Sequence, residues 1–189
     1  GLVLDVVPVL DWTTLARAFV DLAYTDPAHG IREEAALEFS ATATQTQSFR
    51  VRLADPTRRD VEYRVTLIGV DGTVTEVPPS VTADRRITLR ADMRGHRIVR
   101  IRPEAVDFGV RRVRQVQVDL RFQDPDNGLD IADTVVLRSG ADRGTFEFDY
   151  VDPTRTSYQV QVVTTFTNNL TRTRPWTPSD EPELVVAVG

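Results

Sequence analysis

The sequence contains no cysteine, and it contains no lysine either, so that all 23 of its basic residues are arginines. Without cysteine there are no disulfides, no thiolate metal ligands and no cysteine nucleophile, and packing alone has to stabilise the fold. The redox compartment therefore stays open. Arginine is a planar donor suited to ion pairs on exposed strands. Codon bias in a GC-rich genome nevertheless explains the missing lysine more simply than selection for arginine chemistry.

Histidine is almost absent as well, since His29 and His96 are the only two and neither belongs to an H-x-x-x-H pattern. The sequence therefore has almost none of the residues from which a Ser/His or Cys/His nucleophilic site is built. Carboxylates are plentiful, but no particular pair stands out as an acid and base. We therefore expect solvated loop histidines and no catalytic site.

Long apolar runs are also missing, because no stretch approaches the ~18 residues of a membrane span. The opening residues Gly1–Asp5 lack the basic start and long apolar core of a signal peptide. We expect no membrane span. The net charge of -5 argues against nucleic acid as the main partner.

The chain does contain a unit that is repeated in tandem. Residues Val20–Ile31 recur as Val118–Leu129, 98 positions later, with Val-Asp-Leu, Asp-Pro and Gly in place. Asp55–Arg58 recurs letter for letter as Asp152–Arg155. The repetition predicts two domains, residues 1–93 and residues 94–189, each of the size of a small sandwich. We expect a segment cut at repeat boundaries from a longer protein.

The second copy shows that the units are made of strands. Residues 15–24 have helical spacing when taken alone, but their partner, residues 113–122, alternates apolar and polar side chains with the period of a half-buried strand. Homologous copies share a fold, so both are predicted as strands. The apolar face of the second strand comprises Val116, Val118, Leu120 and Phe122.

Turn signals separate the other strands. Both copies turn at Asp-Pro-x-x-Gly, at residues 26–30 and 124–128. Asp71-Gly72 predicts a type I′ hairpin turn, and Asn168-Asn169 takes its place in the second copy. A strand at Ile98–Arg102 is predicted to end before Pro103. About seven short strands per repeat predict an all-β chain of two tandem antiparallel β-sandwich domains.

This layout resembles the immunoglobulin-like and fibronectin type III-like domains that occur in tandem in surface, adhesive and appendage proteins. The disulfide cysteines of immunoglobulin domains are missing, and Trp12 and Trp176 are not at the position of the core tryptophan. No functional residue is therefore carried over. The resemblance implies a spacer or binding role in a bacterial extracellular, cell-surface or phage-tail-like assembly, with other domains of the same parent chain or assembly as partners.

One loop has the composition of a cation site. Asp124, Asp126, Asn127 and Asp130 gather oxygen ligands of the kind that calcium prefers. Gly128 stands one position earlier than the glycine of an EF-hand loop. In the first copy, Asp26 is the only carboxylate at a position that corresponds to one of these acids. A plain Asp/Pro/Asn/Gly turn explains the same letters. Calcium is the one cofactor that the sequence suggests.

Two features suggest contact with a partner. Trp176 lies in a predicted proline-flanked loop, where it would either contact a ligand or plug the end of its own core, and Pro79 stands at its position in the first copy. Residues Arg94–Arg121 contain eight arginines against three acids, a local charge of +5 that leaves -10 for the rest. The candidate contact residues in this stretch are Arg111, Arg112 and Arg114. Solvated strand faces and ion pairs between repeats explain these arginines too.

The sequence thus favours a non-catalytic spacer and protein-docking segment of a larger surface, secreted or phage-tail-like protein. Two alternatives stay open, a carbohydrate- or ligand-binding module and an accessory region of a larger extracellular enzyme.

Overall fold

The computed structural model describes residues 1–188 and confirms that the chain is all-β. Within these residues the helical segments are two three-residue 3-10 turns, Pro27–His29 and Pro125–Asn127. The chain divides into two compact units, Gly1–His96 (unit 1) and the part that begins at Arg97 (unit 2). This division lies three residues beyond the boundary predicted from the sequence.

Unit 1 contains eight strands and unit 2 contains seven, close to the predicted seven in each repeat. The strands of unit 1 are β1 (Leu2–Pro8), β2 (Leu15–Asp26), β3 (Ile31–Phe39), β4 (Gln47–Val51), β5 (Val61–Gly69), β6 (Val74–Glu76), β7 (Ser80–Thr82) and β8 (Arg86–Leu89). Those of unit 2 are β9 (Gly95–Ala105, whose first two residues belong to unit 1), β10 (Val113–Asp124), β11 (Leu129–Leu137), β12 (Gly144–Tyr150), β13 (Tyr158–Phe166), β14 (Thr171–Ser179) and β15 (Glu183–Ala187).

Each unit consists of two sheets. In unit 1 the larger sheet has the order β3-β2-β5-β6, with β7 also pairing with β5, and the smaller sheet has the order β4-β1-β8. Unit 2 repeats this arrangement as β11-β10-β13-β14 and β12-β9-β15. The first and last strands of each unit run parallel, and the other strand pairs described are antiparallel.

The apolar side chains of the two sheets form a separate core in each unit. The predicted alternation along β10 is confirmed, because Val116, Val118, Leu120 and Phe122 are almost completely buried. β2 is likewise a strand and not a helix. It pairs along nearly its whole length with β3 and β5, and these cross-strand bonds outweigh the helical spacing of its apolar residues.

The hairpin turns are of a different type from the predicted type I′. Gly72 has a φ of +83°, while neither Val70 nor Asp71 has a positive φ. The Gly72 N–H donates to the Gly69 carbonyl (3.0 Å), and the Gly69 N–H donates to the Thr73 carbonyl (2.8 Å). This is a type I turn followed by a left-handed residue, the usual three-residue hairpin loop. Asn169 takes the left-handed position in unit 2, with a φ of +65°.

The predicted end of a strand before Pro103 was wrong. β9 continues through Pro103 to Ala105. The residue sits two positions before the end of the strand, near its terminus, where a missing N–H is better tolerated than in the middle of a sheet.

Candidate functional site

The predicted calcium ligands lie in a turn that an arginine closes. The buried Asp124 carboxylate ends β10, and its Oδ2 accepts a hydrogen bond from Asn127 Nδ2 at 2.7 Å. Arg155 Nη1 donates to Asp124 Oδ1 at 3.1 Å and to Asp126 Oδ2 at 2.5 Å. Arg155 is the last residue of the repeated Asp-Pro-Thr-Arg turn. It therefore supplies the positive charge that these two carboxylates face.

The fourth predicted ligand, Asp130, faces a different arginine. Arg121 donates to it through two parallel bonds, Nε to Oδ1 at 3.0 Å and Nη2 to Oδ2 at 2.8 Å. These bonds hold the pKa of Asp130 below its usual range, because they favour the ionised form. Within residues 1–188 no group of three or more His, Cys, Asp or Glu side chains is placed to hold a metal ion.

The same turn in unit 1 contains the histidine that the sequence singled out. Asp26, also buried, lies with Oδ2 at 2.8 Å from Nδ1 of His29. The left-handed residues that end the two turns, Gly30 (φ +65°) and Gly128 (φ +67°), have the same conformation. His29 and Asn127 thus hold equivalent turns. The other histidine, His96, is the last residue of unit 1 and lies at the start of β9, so its predicted position in a loop was wrong; its backbone N–H donates to Ser80 Oγ at 2.9 Å.

The three candidate arginines come together at one end of unit 2. Arg111 and Arg112 lie in the turn that precedes β10, and Arg114 is on β10 itself. The Arg112 carbonyl accepts the Thr167 N–H at 2.8 Å, and Arg114 Nη1 donates to Asn169 Oδ1 at 2.8 Å. We call the turn 107–112 together with the hairpin turn 166–170 the unit 2 tip.

The unit 2 tip exposes apolar side chains that sequence reasoning missed. Val110 is 83% exposed and Leu170 is 66% exposed. The backbone below them is held in place, because Asp107 Oδ1 accepts the Val110 N–H at 3.0 Å and the Phe108 carbonyl accepts the Val113 N–H at 3.0 Å. The tip therefore presents apolar and cationic groups from a turn with a defined conformation.

The tip differs between the two copies. Unit 1 passes from Asp11 to Leu15 in five residues, whereas unit 2 passes from Asp107 to Val113 in seven. The shorter turn has threonines in place of the arginine pair, although it makes the matching bond from the Val70 N–H to the Thr14 carbonyl (2.9 Å). The two-residue insertion was the signal in the sequence that could have pointed to Val110.

Trp176 lies in a strand, so its predicted position in a loop was wrong. It belongs to β14, the edge strand of the larger sheet of unit 2, where Pro175 and Trp176 together lie opposite the single Gln161. This is a β-bulge. Trp176 is 45% exposed and is not among the residues that pack on the core between residues 97 and 188. Trp176 follows Leu170 by six residues, which is roughly 20 Å along an extended strand, and it therefore does not lie at the tip.

Unit 1 has an open groove of about 580 Å³ on the outer face of its larger sheet. Its walls and floor include Asp21, Ala23, Ala36, Arg64, Pro79 and Val81. Ala23 corresponds to Arg121 in unit 2, whose long side chain crosses that face to reach Asp130. The groove therefore depends on small residues that the second copy lacks.

Comparison with protein-family models, with curated proteins and with solved structures finds no match to this chain.

Among residues 1–188 there is no helix of the length and apolarity needed to cross a bilayer.

Proposed function

We propose that the chain is a non-catalytic tandem β-sandwich segment of a larger surface, secreted or phage-tail-like protein, which acts as a spacer and docks another protein through the unit 2 tip. Repetition supports the spacer role, since both copies arrange their strands in the same two-sheet order around separate cores. The pairing of Asp26 with His29 supports a non-catalytic role, because unit 2 forms the equivalent turn with an asparagine.

The observation that carries the docking role is the composition of the unit 2 tip. Within residues 1–188 the guanidinium groups of Arg111 and Arg112 have no hydrogen-bond or ion-pair partner. Arg112 also has a φ of +52°, a conformation that costs a non-glycine residue about 1–2 kcal/mol. Arginine is one of the residue types enriched at protein interfaces, and exposed Val110 and Leu170 add apolar surface beside the two arginines that a partner could bury.

The charge of the tip indicates the chemistry of its partner. Arg111 and Arg112 lie in the tip, and Arg114 follows them in β10 and bonds to Asn169 of the same tip, in a chain whose remaining residues are acidic on balance. An acidic protein surface with an apolar patch is complementary to this arrangement. Long-range attraction would speed the encounter, and burial of Val110 and Leu170 would slow dissociation.

The resemblance to immunoglobulin-like and fibronectin type III-like domains supports the two-sheet architecture in this proposal, but it does not support the strand order of either family. In a constant-type immunoglobulin domain the second and third strands lie in different sheets. Here β2 and β3 form a hairpin within one sheet, and β1 lies between β4 and β8. The spacer role is therefore supported by the repetition of the unit and not by membership of either family.

A site-specific crosslinking experiment tests the docking role. A photo-crosslinking amino acid that replaces Val110 of this chain within the parent protein, in its native cell, is expected to capture one protein with an acidic surface. The purified pair should then bind in a salt-dependent way, and the double variant R111E/R112E should bind at least tenfold more weakly.

The matched control is R50E/R52E, which reverses two exposed arginines on and after β4 of unit 1. It makes the same change in net charge away from the tip and is expected to leave binding intact. Equal loss in both double variants, or no loss in either, would contradict docking at the tip. A catalytic domain beside this segment in the parent gene would favour the accessory-region alternative.

A further inference from the structure

The outer face of the larger sheet of unit 2 has a row of polar side chains that ends at a tryptophan. Thr134 on β11 lies directly opposite Asp119 on β10, and Asp119 lies directly opposite Gln161 on β13. Gln161 in turn faces the bulge of Pro175 and Trp176 on β14. The four positions cross the sheet in a line of about 14 Å, at roughly 4.8 Å for each strand spacing.

The register places the tryptophan on this outer face. The pairs on either side of the bulge are Val160 with Thr177 and Val162 with Arg174, and both valines are buried in the core. Side chains alternate along a strand, so Gln161 points away from the core and the bulge opposite it lies on the same side. Pro79, the counterpart of Trp176, lines the groove on the matching face of unit 1.

The polar groups of the row are partly preorganised and partly free. Asp119 Oδ1 accepts a hydrogen bond from Gln117 Nε2 at 3.0 Å and one from Thr134 Oγ1 at 2.9 Å. The side-chain amides of Gln159 and Gln161 make no hydrogen bond to any residue between 1 and 188. The face therefore offers a positioned carboxylate and two free amides, each of which can donate and accept.

We propose that this face, which we call the Gln–Trp face, binds a neutral oligosaccharide. A sugar ring has an apolar C–H face and a rim of hydroxyl groups. The half-exposed indole of Trp176 can cover the apolar face, while the amides of Gln161 and Gln159 pair with the hydroxyls. The row is long enough for a short oligosaccharide lying across the strands.

The charge of the face favours a neutral ligand. Among the side chains of the row and its flanking glutamines, Asp119 is the one that is charged, and it already accepts two hydrogen bonds. The nearby Arg121 is held by both oxygens of Asp130. The side chains of the row and its flanking glutamines therefore offer no cation to an anionic glycan, in contrast to the unit 2 tip.

Unit 1 provides a natural control for the Gln–Trp face. Asp21 occupies the place of Asp119, but its partners across the sheet are Ala36 and Arg64 in place of Thr134 and Gln161. Proline replaces the tryptophan. The ligand-binding features thus belong to one copy and are not required by the shared fold.

A glycan array with the intact chain at physiological salt, including neutral and acidic glycans, tests this inference. We expect binding to at least one neutral oligosaccharide, followed by calorimetric titration of that compound. W176A and Q161A should each weaken binding at least tenfold, W176Y should retain a ring and most of the binding, and the unit 1 control R64A should leave it unchanged. Thermal melting of each variant confirms that it is folded.

Several outcomes would overturn the proposal. They are no binding to any glycan, equal binding by wild type and folded W176A, or loss of binding in R64A. Binding confined to acidic glycans and lost in R111E/R112E would assign carbohydrate recognition to the unit 2 tip instead. The docking experiment at the tip is independent of these results, because Trp176 lies in the middle of the sheet edge and not at the tip.

Discussion

Nδ1 of His29 lies 2.8 Å from Oδ2 of the buried Asp26, and in unit 2 the amide of Asn127 donates to the buried Asp124 at 2.7 Å. Two different side chains therefore hold the same Asp-Pro-x-x-Gly turn. Asparagine has no titratable proton to exchange, so the shared role is to satisfy a buried carboxylate. Such pairs explain the fold, and the surfaces with binding potential are those at which the two units differ.

Replacement of His29 by asparagine is expected to leave unit 1 about as stable as the wild type, because unit 2 already uses that residue. Asp26→Ala removes the buried carboxylate and its hydrogen bond with the half-exposed His29, and it should cost about 1.5–3 kcal/mol, the usual contribution of a hydrogen bond to a charged group. Denaturant unfolding followed by the fluorescence of Trp12 measures both. Equal destabilisation by the two variants would show that the ring itself is needed.

Arg155→Ala is expected to destabilise unit 2 more than Asp126→Ala does. The arginine is shared by the buried Asp124 and the exposed Asp126, so its loss leaves a buried carboxylate with Asn127 as its remaining side-chain partner, whereas loss of Asp126 removes a solvent-exposed acceptor. Thermal unfolding of the two variants gives the comparison. A smaller effect of Arg155→Ala would contradict the bridging role.

The Asp-Pro-Thr-Arg turns should make stability sensitive to acid. The side chain and backbone N–H of Thr154 donate to Asp152, which lowers the pKa of that carboxyl group. A lowered pKa in the folded state stabilises the fold above the unfolded value of about 3.9, and this contribution is lost as the pH falls through the folded value.

Asp152→Asn is therefore expected to reduce the stability of unit 2 at neutral pH and to make it less dependent on pH in the acid range. Wild type and variant should converge in strong acid, where the wild-type carboxyl is protonated. Denaturant titrations across this range test it. A constant difference at every pH would show that the charge of Asp152 plays no part.

Gly128→Ala should destabilise unit 2 by about 1–2 kcal/mol, because a φ of +67° is unfavourable for any residue with a Cβ. No neighbouring atom lies within 4 Å of the added Cβ, so the cost would arise from the backbone alone. Gly140→Ala is the control, since its Cβ would also meet open space and its φ is not positive. Equal effects of the two substitutions on unfolding would contradict this explanation.

Phe148→Ala is expected to separate the unfolding of the two units. The ring stacks on Phe122 at a centroid distance of 4.1 Å in the core of unit 2, and truncation of such a residue costs about 3–5 kcal/mol. The core of unit 1 contains neither residue. Fluorescence of single-tryptophan variants, Trp12 for unit 1 and Trp176 for unit 2, should show a lower transition for unit 2 alone. A matching decrease in unit 1 would show that the cores are coupled.

The parts of the structure that could be predicted are those with a local signal. The alternation from Val116 to Phe122 predicts a strand from its period alone. Residues 15–24 have helical spacing, but comparison with the second copy predicted a strand for them as well, and both are strands. Proline was the main source of error. Pro103 and Pro175 both lie inside strands. A strand tolerates proline where no neighbouring strand needs a hydrogen bond from that position, and the neighbouring strand is distant in sequence.

The candidate surfaces depend on the same long-range information. By itself the sequence determined that two copies of an all-β unit follow one another, that they turn at Asp-Pro-x-x-Gly, and that no cysteine takes part. Tertiary structure alone decided which strands share a sheet. It placed Arg112 beside the hairpin that exposes Leu170, and it aligned Asp119, Gln161 and Trp176 across three strands. The physical reason is that strand period is encoded locally, whereas the register that brings side chains together is set by pairing between distant segments.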